Sequence, residues 1–324
     1  MLYNLAYPML FAGAKTTQLA SRARTKTGLV NRKTGKIVYT PETLYRVTCW
    51  RLRRIDVHCA MLFSPSKAAR LSVERFETIR QGTVRPSALD AELAYDEKAV
   101  IHGDNTIYVR QYGSKDLPQV LVLHGWNGNA GMLAEQVKAL MDEGFGVVVP
   151  DLPGHGKSTG SRYSFYDLGM IIADVFRRTD FKAVIGHSAG GLLALLALYN
   201  GLKAERFIPI GSPSSLEAIL KSYVDVTQMP ARSYRYIQRY YNDRYLMDPV
   251  EVGAATLANM DVKTLIIHEE RDWQVVVSNA HALAGAAKNG ELFLTTGRTH
   301  LNILKAPEVH EKIVSFLNEE ITTC

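Results

Sequence analysis

Residues 186–190 read Gly-His-Ser-Ala-Gly, and this is the most informative stretch of the chain for its fold. A short apolar run at 183–185 precedes it and a longer one at 191–199 follows it, which predicts a strand and then a helix. A serine at such a junction lies on a sharp turn, where flanking glycines avoid clashes with the neighbouring backbone. The first N–H groups of the helix also point at any negative charge that develops there. The stretch therefore predicts that Ser188 is a nucleophile.

A second glycine-containing turn follows an earlier apolar strand. Residues 119–123 predict this strand, and His124, Gly125 and Trp126 come directly after it. Acyl transfer needs N–H donors at the oxyanion, one after the nucleophile and one from the loop after an earlier strand. We predict that the backbone N–H groups of Trp126 and Ala189 form this oxyanion hole. A tight turn that merely requires glycine is the alternative interpretation.

An acidic loop follows the predicted strand at 264–268. A carboxylate on such a loop can orient a histidine and stabilise its imidazolium form. The spacing to Val275 favours Asp272 as this acid, whereas Glu269 and Glu270 are alternatives. The alternative is that this loop has no catalytic role and its charged side chains are simply solvated.

His300 follows the predicted strand at 292–294 and precedes the last predicted helix. The chain order is therefore serine, acid, histidine, which is the order that this kind of sheet imposes. We predict a catalytic triad of Ser188, Asp272 and His300, in which His300 is the general base.

On these motifs the chain resembles the α/β-hydrolase superfamily over residues 96–321, and within it serine esterases of the carboxylesterase or lipase type. The matching residues are His124, Gly125 and Trp126, the run 151–158, the run 186–190, Asp272 with Val275, and His300. The resemblance implies an eight-stranded, mostly parallel sheet with helices on both faces, and a loop at 151–158 that shapes the fold. In one departure, Val276 stands where the family often has proline.

The alternation of strands and helices agrees with an α/β fold of this kind. We predict strands near 98–102, 106–112, 119–123, 146–150, 182–187, 206–210, 263–268 and 291–295, with helices near 130–143, 166–179, 189–200, 278–288 and 307–320. We predict three domains. Residues 1–95 form a basic, mostly helical N-terminal extension, and residues 96–212 together with 262–324 form the catalytic domain. Residues 213–261 form a helical cap insertion.

The predicted cap carries a stripe of tyrosines at helical spacing, which includes Tyr234 and Tyr241. Such a stripe more commonly packs a cap helix against the body of the protein. We also consider a substrate pocket lined by Trp126, Met229, Tyr234, Tyr241 and Trp273.

Other chemistries find no support in the sequence. A phosphate-binding loop ending in Gly156, Lys157 and Ser158 would place Asp151 where its first glycine belongs. No paired Cys-x-x-Cys or His-Glu-x-x-His run occurs, so we expect neither a metal nor a cofactor. The chain has no recognisable nucleic-acid-binding module, so nucleic acid is not an expected partner.

The N-terminal region is rich in basic residues, within a net charge of +6 for the whole chain. They are Arg22, Arg24, Lys26, Arg32, Lys33, Lys36, Arg46, Arg51, Arg53 and Arg54. We interpret them as a solvated layer, with weak contact to an anionic membrane surface as the alternative. The three cysteines, Cys49, Cys59 and Cys324, favour a reduced, cytoplasmic setting. The apolar start of the chain lacks a positive n-region, so we predict no signal peptide.

Together these features predict hydrolysis of carboxylic esters with small to medium acyl chains, through an acyl-enzyme intermediate. A serine nucleophile disfavours haloalkane and epoxide hydrolysis, which the superfamily performs with an aspartate. Cleavage of a lactone, amide, thioester or carbon–carbon bond, or transfer of the acyl group to an alcohol, uses the same triad and is left open. A catalytically silent binding or scaffold protein is the alternative of another class.

Overall fold

The computed structural model describes residues 29–30, 37–38, 57, 60–80 and 85–320. The chain divides into two compact units, Met1–Ser64 and Pro65–Cys324. In the first, Leu29–Val30 pairs antiparallel with Ile37–Val38, and residues 60–63 are helical. The basic residues singled out between 22 and 54, and all three cysteines, lie outside the described residues.

The second unit is built on an eight-stranded sheet. In chain order its strands are β1 Asp96–His102, β2 Asn105–Tyr112, β3 Gln119–Leu123, β4 Gly146–Pro150, β5 Ala183–His187, β6 Arg206–Ile210, β7 Lys263–Glu269 and β8 Asn289–Thr295. They lie in the order β8-β7-β6-β5-β3-β4-β2-β1. Pairing is antiparallel for β1 with β2 and for β2 with β4, and parallel elsewhere. The predicted eight-stranded, mostly parallel sheet is confirmed.

The central strands are apolar because helices cover both faces of the sheet. Every residue of β4, β5 and β6 is buried, as are the last four of β3. Strands buried on both faces have continuous apolar runs in place of an alternating pattern. Burial of these side chains supplies most of the driving force for folding.

The helices of this unit are α1 Pro65–Phe76, α2 Ala134–Asp142, α3 Phe165–Val175, α4 Ala189–Tyr199, α5 Leu216–Val226, α6 Ser233–Tyr245, α7 Ala254–Leu257, α8 Ser278–Ala286 and α9 Pro307–Asn318. Helix α3 begins where Ser164 accepts a hydrogen bond from the backbone N–H of Asp167, which closes a capping box. Gly169 of α3 lies against Leu196 of α4, where a Cβ would come within 2.5 Å of the Leu196 Cβ. No helix in the described part of the chain is long and apolar enough to cross a membrane.

The order of the strands explains where a site can form. From β3 the chain moves to β4 on one side, and it later returns to place β5 on the other side of β3. The loops after β3 and β5 therefore leave adjacent strand ends in opposite directions and open a crevice between them. This arrangement places the loop that begins at His124 beside Ser188.

Helices α5, α6 and α7 form the insertion between β6 and β7. Helix α1 packs against α6 and belongs by its contacts to the same unit as the sheet, although the predicted extension includes its residues. The hydroxyl of Tyr241 in α6 is buried and donates a hydrogen bond to Glu77 Oε1, at 3.1 Å. This contact joins α6 to the segment that follows α1.

The buried carboxyl of Glu77 makes the stability of the protein depend on pH. Burial raises the pKa of Glu77 from its ordinary 4.5 to about 7, although the hydrogen bond from Tyr241 opposes the rise. As the pH increases from 4.5 to 7, the unfolded chain loses this proton before the folded chain does. The contribution of Glu77 to the free energy of unfolding therefore falls over this window and is lower by about 3 kcal/mol above it.

Replacing Glu77 with glutamine removes this dependence, because the amide is neutral throughout. We expect Glu77→Gln to gain about 2–3 kcal/mol over the wild type when both are moved from pH 4.5 to pH 8. Urea unfolding at a series of pH values measures the difference. A difference between the two proteins that stays constant with pH would contradict the assignment.

Candidate active site

Ser188 lies at the turn between β5 and α4 with φ 55° and ψ −126°. A residue with a side chain seldom adopts a positive φ, and the strain costs about 1–3 kcal/mol. Gly186 and Gly190 flank this turn, and neither position has room for a Cβ atom. A Cβ on Gly190 would lie 2.5 Å from the carbonyl oxygen of Leu123, and one on Gly186 would collide with the backbone of Gly190. The turn leaves Ser188 half-exposed at the carboxyl end of the sheet.

The loop after β3 is fixed beside this serine by His124. The Nδ1–H group of His124 donates to the carbonyl of Gly125 at 2.8 Å, and its Nε2 accepts from the N–H of Leu152 at 3.1 Å. Burial lowers the pKa of His124 to about 3, so the ring stays neutral and keeps both bonds. A Cβ on Gly125 would lie 3.2 Å from Ser188 Cβ, so the loop backbone directly adjoins the serine.

Both residues predicted to form the oxyanion hole lie beside Ser188 in the chain or in space. Ala189 is the first residue of α4, so its N–H has no partner within the helix. Trp126 follows the glycine that adjoins Ser188. Asp151 braces the same loop, because its Oδ1 accepts from the N–H of Ala130 at 2.7 Å and its Oδ2 from that of Lys157 at 2.9 Å. The run 151–158 thus supports the loop structurally, as the resemblance implies.

His300 and Asp272 form a buried pair. The Nδ1–H group of His300 donates to Asp272 Oδ2 at 2.5 Å. The other carboxylate oxygen accepts from the backbone N–H groups of Gln274 at 2.8 Å and Val275 at 3.2 Å. Burial alone would raise the pKa of Asp272, but these hydrogen bonds outweigh it and hold the pKa below its usual value. The pairing leaves Nε2 of His300 as an acceptor, which is the form a general base needs.

Contacts through the neighbouring strands bring this pair to Ser188. The N–H of Ser188 donates to the carbonyl of Ile210 at 2.8 Å, and the next residue, Gly211, lies against the His300 ring. His187 also donates from Nε2 to the carbonyl of His300 at 2.8 Å, and the two rings are 4.8 Å apart. Burial lowers the pKa of His187 to about 3, so this donor stays neutral. The His300–Asp272 pair and the turn at Ser188 therefore lie at the same edge of the sheet, and their action as a triad stays a prediction.

The alternative acids have other positions. Glu269 is buried and accepts from the Thr295 hydroxyl at 3.0 Å and from the N–H groups of Gly297 at 3.1 Å and Arg298 at 2.9 Å. It thereby fixes the loop that carries His300. Glu270 is exposed. Sequence reasoning did not identify this bracing role, since only the folded chain brings 269 and 297–298 together.

The residues considered for a substrate pocket divide into two groups. Trp126 is half-buried and packs against Phe165, with ring centroids 5.2 Å apart and an interplanar angle of 8°. Tyr234 is half-buried, with Lys221 5.2 Å from the centre of its ring, and Trp273 is 65% exposed. Tyr241 and Met229, in contrast, pack inward.

Tyr241 and Met229 correct part of the pocket prediction. Tyr241 is fully buried and bonded to Glu77, and the Met229 sulfur accepts from the hydroxyl of Ser72 in α1 at 3.3 Å. Both side chains pack the insertion against α1. This agrees with the interpretation that the tyrosine stripe packs the cap helix and does not line a pocket. No group of residues in the described ranges has the arrangement of a metal site.

Comparisons with known proteins identify relatives of this chain. The model of the alpha/beta hydrolase family matches residues 120–308. A probable serine hydrolase of Drosophila melanogaster is 32% identical over 138 residues, 40% of each chain. A pimeloyl-[acyl-carrier protein] methyl ester esterase of Vibrio parahaemolyticus is 35% identical over 103 residues, 31% of this chain and 39% of the relative. The chain thus spans about two fifths of the length of these two relatives.

Among solved structures, a putative lipase from Acinetobacter baumannii superposes with a TM-score of 0.55 and 18% sequence identity. The match covers 73% of this chain and 97% of that one. At this identity the likeness concerns the fold alone. The family model covers more than half of the chain and includes Ser188, Asp272 and His300. This protein belongs to the alpha/beta hydrolase family.

Proposed function

We propose that this protein is a serine hydrolase that cleaves carboxylic esters through an acyl-enzyme intermediate. The observation that carries the proposal is the buried His300–Asp272 pair at 2.5 Å, which packs against the strand ends that hold Ser188 on its strained turn. A histidine so oriented can accept the serine proton, which a solvated surface histidine is not positioned to do.

The first half of the reaction forms the acyl-enzyme. Ser188 Oγ attacks the ester carbonyl while Nε2 of His300 takes its proton, and Asp272 stabilises the imidazolium. The N–H groups of Trp126 and Ala189 bind the oxyanion, and each such donor lowers the barrier by about 3–4 kcal/mol. His300 then protonates the leaving alcohol, and the bond between the carbonyl carbon and the alcohol oxygen breaks.

The second half reverses these roles with water. His300 takes a proton from a water molecule, which attacks the acyl carbon, and Ser188 leaves with that proton as the acid is released. Esters are the preferred substrates because their cleavage needs little beyond the triad and the oxyanion hole. The esterase and serine hydrolase names of the two partial relatives support this choice.

Labelling with a fluorophosphonate tests the proposal on the full chain. We expect one label per molecule, on Ser188, and a loss of 4-nitrophenyl butyrate hydrolysis that parallels the labelling. Both follow because only a serine activated by its base reacts rapidly. Absence of labelling in folded protein would refute the proposal and favour a binding or scaffold role. Labelling without ester turnover would indicate another acyl substrate class.

A further inference from the structure

The segment of residues 72–80, which includes the end of α1, lies before the part of the chain that the family model matches. It is hydrogen-bonded to both long helices of the insertion. The hydroxyl of Tyr223 in α5 donates to the carbonyl of Ser72 at 3.1 Å, and that of Tyr241 in α6 donates to Glu77. The position of the 72–80 segment is thereby tied to the insertion.

The 72–80 segment is also bonded to residues 161–163 and to the loop after β3. The N–H of Ile79 donates to the carbonyl of Ser161 at 2.8 Å, and the N–H of Tyr163 donates to that of Glu77 at 3.2 Å. The N–H of Arg80 donates to the side-chain oxygen of Asn127 at 2.7 Å. Asn127 directly follows Trp126, so the last of these bonds joins the segment to the predicted oxyanion loop.

Within this segment, Phe76 contributes its ring to an aromatic cluster. Its centroid is 6.1 Å from that of Trp126, with an interplanar angle of 8°, and 6.1 Å from that of Phe165. It is also 5.2 Å from the ring of Tyr223. Phe165 is buried, whereas Phe76, Trp126 and Tyr223 are half-buried.

The cluster begins one residue after the backbone that adjoins Ser188. Gly125, which precedes Trp126, is the residue whose backbone adjoins Ser188 Cβ. An acyl group bound to Ser188 must extend from this point across neighbouring side chains. The cluster consists of aromatic side chains, and the one phenol hydroxyl among them is already bonded to the carbonyl of Ser72. Surfaces of this kind bind apolar groups.

We propose that Phe76, Trp126 and Tyr223 form the subsite for the acyl group, and that Phe76 sets its preference for an apolar acyl chain of medium length. This inference rests on the proposed ester hydrolysis. It also gives the segment before the family match a definite role. The segment supplies one wall of the subsite, and its hydrogen bonds to the insertion and to Asn127 keep that wall in place.

The test compares 4-nitrophenyl acetate and hexanoate on the same preparation of the full chain. The acetyl group is too short to cover the cluster, whereas the hexanoyl chain loses contact area when Phe76 becomes alanine. We expect Phe76→Ala to lower the hexanoate-to-acetate ratio of kcat/KM by about tenfold or more. Phe76→Leu keeps much of the apolar surface and should give an intermediate ratio. A ratio is insensitive to the fraction of active protein, so partial misfolding does not imitate the effect.

Phe63→Ala is the matched control, because it removes the same ring from a position that is 87% exposed. This variant should keep the wild-type ratio. An unchanged ratio in Phe76→Ala and Phe76→Leu, with wild-type protein that hydrolyses both esters, would overturn the subsite while leaving the proposed function intact. Wild-type protein that neither hydrolyses an ester nor takes the fluorophosphonate would instead refute the proposed function, and the subsite with it.

Discussion

Replacing Ser188 with alanine is expected to reduce hydrolysis of 4-nitrophenyl butyrate by at least about 10⁴-fold. The alanine variant has no atom that can form the acyl-enzyme, so only the oxyanion donors and substrate binding remain to assist attack by water. The positive φ of residue 188 stays strained with alanine, but the small side chain is sterically tolerated there. Initial rates with purified protein, alongside thermal melting, measure the effect.

Ser114→Ala is a suitable control, because Ser114 is an exposed serine on a surface turn. It should keep wild-type turnover and should still take one fluorophosphonate, whereas Ser188→Ala should take none. Turnover close to that of the wild type in Ser188→Ala would show that another residue is the nucleophile.

Replacing Asp272 with asparagine is expected to lower kcat by about 10³–10⁴-fold while leaving the fold intact. The asparagine side chain is isosteric, but its amide group donates where the carboxylate oxygen accepted from Nδ1–H of His300. The ring then places its proton on Nε2, which can no longer receive the proton of Ser188. Loss of the carboxylate charge also removes the stabilisation of the imidazolium.

Glutamine variants of the two nearby glutamates test whether Asp272 is the acid of the triad. Glu270→Gln, at an exposed position in the same loop, should leave kcat unchanged. Glu269→Gln should lower the melting temperature, since an amide cannot accept all the bonds that the carboxylate receives from Thr295, Gly297 and Arg298. If Glu269→Gln removes activity without destabilisation while Asp272→Asn keeps it, Glu269 is the acid and the assignment is wrong.

Much of the fold follows from local rules. Apolar runs such as 119–123 and 146–150 predicted β3 and β4 because strands covered on both faces have no polar side. The turn at Ser188 was predictable from the glycines that flank it, since glycine is required wherever a Cβ would meet backbone. The order of the three triad residues along the chain then placed Asp272 and His300 on successive strand ends of a single sheet edge.

The contacts between elements far apart in the sequence were not predictable from such local rules. Phe76 lies far from Trp126 in sequence, and neither its spacing nor its neighbours in the chain indicate that the rings meet. Tyr241 was equally compatible with a pocket or with packing. The hydrogen bond to Glu77 shows that Tyr241 packs inward. This contact forms only because α1 packs against α6. The bracing of the His300 loop by Glu269 depends in the same way on the pairing of β7 with β8.

The amino-acid sequence by itself determined the parallel sheet, the strained serine turn and the chemical types available at the strand ends, because backbone sterics and hydrophobic periodicity act between near neighbours in the chain. The folded structure was needed to show which carboxylate faces His300, which tyrosines pack inward, and that a segment before the hydrolase core contributes a ring to the aromatic cluster at Trp126. Those outcomes depend on distances between side chains from separate elements, and the packing of the whole unit sets these distances at once.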